Sequence, residues 1–299
     1  MAKVLICDPV STLAIEAMRD LGVTVDVRDD ITIDELSQVI GQYDAIVVRS
    51  RTKVRAPMLE NTGQLKAIIR GGVGLDNIDV DIARAKGIKV LNTPRSSSKA
   101  VAELVLALMF ALARPIAYAD ASMKAGKWEK KKLKGTELEG KTLGIIGYGR
   151  IGRTLGEKAK ALGMDVLAYD PYIEHEDLVT LEALLKAADY VSLHIPHVEE
   201  THHLMGAEQF AMMKEGAHVI QASRGGTVDE RALYEALSNG HLAGAALDVY
   251  TQEPPEDKYL HKLIALPQVV ATPHIGAATK EGQDRIGGEI VDLVKEHLL

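Results

Sequence analysis

The chain has 299 residues, enough for two domains at roughly 100–200 residues each. It is 46% hydrophobic and 26% charged, with 35 basic against 42 acidic side chains; this excludes disordered and collagen-like classes, and a net charge of −7 argues against nucleic acid as the main partner. A single cysteine, Cys7, rules out an internal disulfide and fits a cytoplasmic setting, and no apolar run of about 18 residues or secretory leader pattern is present, so neither a membrane span nor export is expected.

Aromatic residues are only 4%, so the cores must be built from Ala, Val, Ile and Leu. Short apolar runs at Lys3–Cys7, Val23–Val27, Ala45–Val48, Ala67–Ile69 and Lys89–Leu91 predict buried strands. Amphipathic stretches at Leu13–Leu21, Ile33–Ile40 and Val80–Lys86 lie between them. This order predicts a parallel sheet covered on both faces. The rhythm breaks at Asn92-Thr93-Pro94-Arg95-Ser96-Ser97-Ser98, where a loop and a domain boundary are expected. A long helix follows, from about Lys99 to Pro115, and its Ala100–Leu112 stretch is apolar nearly all round. Such a helix must be covered, and a second subunit is the expected cover, hence a homodimer. Lys124–Lys134 carries six lysines around Trp128 and reads as a solvated connection. A second α/β series runs through strands Thr142–Ile146, Asp165–Tyr169, Tyr190–Leu193, His218–Gln221, Ala243–Leu247 and Val269–Ala271, and the last helix spans about Thr279–His297.

Gly147-Tyr148-Gly149-Arg150-Ile151-Gly152 fits G-x-G-x-x-G between a predicted strand and helix. Gly147 would make the tight turn, Gly149 would let a pyrophosphate approach the backbone, and Gly152 would let helix and strand pack closely. The helix N-terminus offers unpaired N–H groups and the positive end of a dipole, and Arg150 adds charge. Asp170 ends the next strand, 18 residues past Gly152. A carboxylate there accepts ribose hydroxyls and repels a 2′-phosphate, which favours NAD over NADP. The structural alternative is a tight βα turn whose acid caps a helix.

Three later segments each end a predicted strand: Ala222-Ser223-Arg224-Gly225-Gly226, Leu247-Asp248 through Glu253-Pro254, and Thr272-Pro273-His274-Ile275-Gly276. Ligands of open parallel sheets bind beyond the carboxyl ends of the strands, so Arg224, Glu253 and His274 are expected to converge. Together with the glycine-rich loop, these segments resemble the D-isomer-specific 2-hydroxyacid dehydrogenase family over essentially the whole chain. The most specific pieces are Ser223-Arg224-Gly225-Gly226-Thr227-Val228-Asp229-Glu230, the Glu253-Pro254 dipeptide and Pro273-His274-Ile275-Gly276.

The resemblance implies an α/β protein of two Rossmann-like, doubly wound parallel-sheet domains with an interdomain cleft that closes before hydride transfer. A discontinuous substrate domain would comprise 1–93 and 277–299, and an NAD-binding domain 94–276. It implies His274 as proton acceptor for the C2 hydroxyl, Glu253 as its partner and Arg224 as the group that holds the substrate carboxylate. Gly72, Val73 and Gly74 would offer N–H groups to that carboxylate. Beside Gly147, Gly149, Arg150, Ile151, Gly152 and Asp170, it adds His194, Pro196, Thr201, Ala222, Ser223, Asp248 and Gly276 to the cofactor site. His194-x-x-His197 and His202-His203 invite a zinc reading, but His194-Ile195-Pro196 matches the family's adenosine-side loop and no metal is expected.

Arg49, Arg51, Lys53 and Arg70 lie at predicted strand ends, where four cations suit a phosphorylated 2-hydroxy acid; the alternative is four solvated surface charges. Arg49–Val54 and Arg70–Asp79 carry a narrower resemblance, to members that oxidise 3-phospho-D-glycerate at the entry to serine synthesis. Glyoxylate and hydroxypyruvate stay open as substrates, and a non-catalytic NADH-sensing corepressor scaffold is the rival of another class. Ser97 stands where the family's loop usually carries a substrate-touching Asn. Only one helix follows His274, so a C-terminal regulatory domain with serine feedback is not expected.

Overall fold

The computed structural model describes all 299 residues. The chain forms two compact units, Met1–Ser98 with Ala277–Leu299, and Lys99–Gly276.

In the first unit β1 (Lys3–Ile6), α1 (Thr12–Asp20), β2 (Thr24–Val27), α2 (Ile33–Val39), β3 (Ala45–Val48), β4 (Ala67–Arg70), α3 (Val80–Ala85) and β5 (Lys89–Asn92) alternate as expected. The five strands are all parallel, in the order β2-β1-β3-β4-β5. Every residue of β3 is buried, as a strand covered on both faces requires. One apolar layer joins Leu5, Ile46 and Ile68 to Leu36 and Ile40; the other joins Val4, Val47 and Ile69 to the chain's last helix.

α4 (Ser98–Ala113), whose first residue belongs to the first unit, leads into the second, and α5 (Ile116–Lys124) follows it, bent 66° away at Arg114-Pro115. The second unit continues through β6 (Thr142–Ile146), α6 (Arg150–Ala161), β7 (Asp165–Tyr169), α7 (Leu181–Ala187), β8 (Tyr190–Leu193), α8 (Ala207–Met212), β9 (Ala217–Gln221), α9 (Glu230–Ser238), β10 (Leu242–Leu247), α10 (Lys258–Ile264) and β11 (Val269–Ala271). Its six strands are parallel, in the order β11-β10-β9-β8-β6-β7. Both sheets therefore reverse direction of winding beside their first strand, between β1 and β3 and between β6 and β8. Such switch points leave a crevice at the carboxyl edge.

α11 (Lys280–Leu298) returns to the first unit. The Thr279 hydroxyl caps it by accepting the Gly282 N–H at 3.0 Å, and Ile286, Ile290 and Val294, spaced four apart, bury its inner stripe.

Two expectations are corrected. The first boundary falls after Ser98 rather than after residue 93. The Thr93–Ser98 segment is tied to the first unit: Thr93 N–H donates to Gly72 O at 3.0 Å, and Arg285 of α11 donates to Ser96 O at 2.9 Å. The apolar surface of α4 is also covered largely by its own unit. Val101, Ala102, Val105, Leu108 and Met109 pack with Leu143, Ile145 and Leu155 of the sheet layer beneath. No single helix is long and apolar enough to cross a membrane.

Candidate active site

The glycine-rich loop leaves β6 at the switch point of the second sheet. Gly147 adopts φ +92°, and its N–H donates to Tyr169 O at 2.8 Å. A Cβ at Gly152 would overlap the Gly147 carbonyl, so α6 can approach the strand only with glycine there. Gly149 is the N-cap of α6, no side chain caps it, and a Cβ on it would meet nothing within 4 Å. An open space thus faces an uncapped helix start, the geometry a pyrophosphate fits. Arg150 is exposed and Ile151 half-buried on the first turn. Asp170 follows β7, and its carboxylate accepts Tyr148 N–H at 2.9 Å and Tyr172 N–H at 3.0 Å. Two carboxylate oxygens offer about four acceptor positions, so this tether leaves capacity for a ribose.

On the other side of the switch point, His194 turns its ring inward. Nε2 bonds to Ser192 Oγ at 2.9 Å, while the buried Nδ1 has no partner. Burial pulls its pKa down to about 4, so the ring is neutral near pH 7. The Thr201 hydroxyl donates to Pro196 O at 2.7 Å and accepts Val198 N–H at 2.9 Å, bracing its own loop. His197 and His202 share a hydrogen bond at 3.0 Å, and no group of three or more His, Cys, Asp or Glu is placed to hold a metal.

The three loops after β9, β10 and β11 are interlocked. Gln221, at the end of β9, is buried and brackets the first of them. Its Nε2 donates to Arg224 O at 2.9 Å and Thr227 Oγ1 at 2.6 Å; its Oε1 accepts the Ser223 hydroxyl at 2.8 Å. Ala222 and Ser223 are buried beside it. Arg224 donates from Nη1 to Ser223 O at 2.7 Å.

Asp248, at 1% exposure, accepts Thr272 Oγ1 at 2.7 Å, Ile275 N–H at 2.8 Å and Gly276 N–H at 2.9 Å. Its carboxylate therefore braces the loop carrying His274, which sits at φ +52°, unusual outside glycine. His274 Nδ1 meets Glu253 Oε2 at 2.7 Å, and Glu253 Oε1 accepts Tyr250 N–H at 3.1 Å. Burial alone would push the Glu253 carboxyl up. The His274 hydrogen bond and charge, the Tyr250 N–H and the nearby Arg224 charge outweigh it and hold the carboxyl below its ordinary value. An ionised Glu253 makes Nδ1 the donor and leaves Nε2 bare to take a proton.

The first unit presents a basic cluster at its own switch point. Arg49 donates from Nε to Gly71 O at 3.3 Å and from Nη1 to Gln283 Oε1 of α11. Arg51 is the exception to the expected substrate contacts. Its guanidinium bonds Asp8 Oδ1 at 2.9 Å, Asp29 O at 2.6 Å, Ile31 O at 3.4 Å and Cys7 O, so all three nitrogens bind protein. A Cβ at Gly72 would overlap the Arg70 guanidinium, which lies over that glycine. Gly72 N–H donates to Arg70 O at 2.9 Å, so it is not offered outward, whereas Val73 and Gly74 make no backbone bond through theirs. Lys53 is exposed; Ser97 is buried, at 4% exposure.

Sequence reasoning missed Asp8, Gln221, Gln283 and the bracing use of Asp248. Asp8 is 1% exposed and also accepts Thr52 Oγ1 at 2.9 Å. The available signal was position: a polar residue directly after a buried strand in an α/β unit stands at the ligand edge.

The family description "D-isomer specific 2-hydroxyacid dehydrogenase, NAD binding domain" matches residues 106–276. A hydroxypyruvate reductase of Thermotoga maritima is 51% identical over 269 residues, 89% of this chain and 88% of that protein. A D-3-phosphoglycerate dehydrogenase of Methanocaldococcus jannaschii is 46% identical over 306 residues, covering 100% of this chain but 58% of that protein; the chain thus spans little more than half of that relative's length. Among solved structures, a D-lactate dehydrogenase from Aquifex aeolicus complexed with NAD and lactic acid superposes with a TM-score of 0.85 at 30% identity, covering 98% of this chain and 94% of that one.

Proposed function

The chain belongs to the D-isomer-specific 2-hydroxyacid dehydrogenase family, and from that membership we propose that it oxidises 3-phospho-D-glycerate to 3-phosphohydroxypyruvate with NAD. The observation that carries the chemistry is the 2.7 Å His274–Glu253 pair on the β11 and β10 loops.

Gly147, Gly149, Gly152 and the start of α6 would hold the pyrophosphate, and Asp170 would take the ribose. When bound, NAD supplies the acceptor for the hydride that leaves C2. His274 Nε2 takes the C2 hydroxyl proton as that hydride departs. Glu253 keeps the ring oriented through Nδ1 and stabilises the imidazolium. Arg224 holds the substrate carboxylate through its planar fork of donors. In the reverse direction the same imidazolium returns the proton to a 2-oxo acid.

Arg70, Arg49 and Lys53 of the first unit favour a substrate with a second anionic end. The second reading, reduction of hydroxypyruvate, is favoured by the internal engagement of Arg51, which removes one cation from the cluster, and by the name of the Thermotoga relative. A coenzyme-linked assay with 3-phospho-D-glycerate and D-glycerate, which differ only in the phosphate, separates them. One charge-assisted hydrogen bond contributes about 1.5–3 kcal/mol, so kcat/KM should favour the phosphorylated acid by roughly 10–100-fold. Equal values overturn the phosphate assignment. In the same assay Asp170→Ala should narrow the preference for NAD over NADP, and an unchanged ratio removes Asp170 from the ribose contact.

A homodimer is proposed through the face around α5. Phe110, Ile116, Met123 and Trp128 are exposed at 40%, 52%, 55% and 79%. Phe110 and Ile116 are sequence neighbours of Ala111 and Pro115, which line a cavity of about 540 Å³ with Leu112, Leu133 and Leu266. Exposed apolar surface beside an apolar cavity favours an association site. Sedimentation equilibrium should give twice the chain mass, and Ile116→Glu should give the single mass. A wild-type chain that sediments as a monomer at micromolar concentration overturns the dimer.

A further inference from the structure

Glu230 is the first residue of α9, next to the N-cap Asp229, whose carboxylate accepts Arg231 N–H at 3.0 Å and Ala232 N–H at 3.1 Å. Asp229 thus caps the helix without the Glu230 side chain. Its Oε1 instead accepts the backbone N–H of Thr251, at 2.8 Å, from the loop after β10. The residue before, Tyr250, gives its N–H to Glu253 Oε1. Two consecutive amides of the Tyr250–Glu253 turn are therefore held by carboxylates, one carried by the turn itself and one supplied by α9.

The Arg224 turn presses on the same place. A Cβ at Gly225 would overlap the Tyr250 carbonyl and come within 2.7 Å of Thr251 N. On another side the turn borders a cavity of about 250 Å³, lined by His203, Glu230, Arg231, Thr251, Gln252 and Tyr259 among others. Thr251, Gln252 and Glu253 are exposed, so side-chain packing does little to fix them. The turn borders open space, and the Glu230–Thr251 bond ties it to α9.

We propose that Glu230 is a positioning residue: it holds the Tyr250–Glu253 turn, and through it keeps the Glu253 carboxylate on His274 Nδ1. The inference rests on the reading of His274 and Glu253 as the acid–base pair. The charged and titratable groups that face Glu230 are Asp229 and Arg231 on its own helix, His203 from the loop after β8, Asp257 and Tyr259 from the start of α10, and Tyr250; those that face Glu253 are His274, Arg224 and Tyr250. An ionised carboxylate is a stronger acceptor for an amide than a neutral group. Glutamine at 230 would still present an Oε1 acceptor to the same N–H, whereas alanine would present none.

The test compares Glu230→Ala and Glu230→Gln in the full chain. Readouts are kcat and KM, the pH profile of kcat/KM, and hydrogen exchange of the Thr251 amide. Glu230→Ala should lower kcat by about tenfold, a factor equivalent to 1.4 kcal/mol in the barrier, with little change in KM. Its acid limb should move to lower pH, because that limb marks protonation of the base and a swinging turn takes away the Glu253 carboxylate that stabilises the imidazolium. Thr251 exchange should accelerate, because its N–H loses its only protein acceptor. Glu230→Gln should restore kcat, the acid limb and slow exchange. Wild-type kcat and acid limb in Glu230→Ala would overturn the proposal, as would equal impairment of both variants. If the wild-type chain turns over no 2-hydroxy acid with NAD, the parent reading fails, and exchange alone decides the tether: acceleration in Glu230→Ala alone upholds it, and unchanged exchange overturns it.

Discussion

Replacing His274 with Asn should lower kcat by about 10²–10⁴-fold, the usual contribution of a positioned acid–base group, while NADH affinity stays essentially at the wild-type value. Asn suits this test for a backbone reason. Residue 274 sits at φ +52°, a conformation that Asn tolerates better than most side chains. The loop can therefore keep its course, still braced through Thr272, Ile275 and Gly276 by Asp248. What is lost is a nitrogen that can take a proton near neutral pH; an amide oxygen cannot do so. The glycine-rich loop after β6 is untouched, which is why cofactor binding serves as the internal control. Single-turnover measurement of NADH formation, beside a fluorescence titration of NADH, reads both quantities. A kcat within about tenfold of wild type, or 1.4 kcal/mol of barrier, would remove His274 from proton transfer.

The pair should also set a lower pH limit. Glu253 is held below its ordinary value of 4.5. A carboxyl lowered in the folded chain contributes its pairing fully above that ordinary value and loses it as pH falls through the lowered one. The His274–Glu253 contact therefore persists across the neutral and mildly acidic range.

Much of this architecture was legible because parallel strands buried on both faces must read as short apolar runs. Val4–Ile6, Ala45–Val48 and Ile68–Ile69 could hardly be anything else. The cofactor loop was legible because each glycine has a separate steric cause, visible in the φ of Gly147 and in the overlap a Cβ at Gly152 would create. The α4 stripe misled for a physical reason. Apolarity reports that a face is covered, not what covers it, and here β6 and α6 of the same unit supply Leu143, Ile145 and Leu155. Charge carried a similar ambiguity. Arg49, Arg51, Lys53 and Arg70 look alike in sequence, yet Arg51 is tied into the chain through Asp8 and three carbonyls. Whether a guanidinium faces outward depends on acceptors distant in sequence, and spacing does not encode them. The same holds for Glu230, whose role exists only because β9 and β10 are neighbours and bring the start of α9 to Thr251.

Asp248→Ala should destabilise the second unit more than any exposed substitution in the site. The lost carboxylate is almost fully buried and is the acceptor for the Thr272 hydroxyl and the Ile275 and Gly276 amides. Gly276 N–H is left buried without an acceptor, and the Thr272 hydroxyl and Ile275 N–H only partly so; at about 1–3 kcal/mol for a fully buried donor, a total of roughly 3 kcal/mol is expected. At about 2–4 °C per kcal/mol for a chain segment of this size, Tm should fall by roughly 6–12 °C. Activity should fall with it, since nothing else anchors residues on both sides of His274 at its left-handed backbone angle. Asp248→Asn gives a graded control. Its amide oxygen can serve the Thr272 hydroxyl and the Ile275 amide, but its NH2 would face the Gly276 N–H, donor against donor. The expected order of Tm is therefore wild type, then Asn, then Ala, read by calorimetry on the full chain. A Tm for Asp248→Ala within about 2 °C of wild type, less than 1 kcal/mol on the same scale, would mean that the Tyr250 hydroxyl, which donates to Leu247 O and Thr272 O at 3.1 and 3.0 Å, is sufficient to hold the loop by itself.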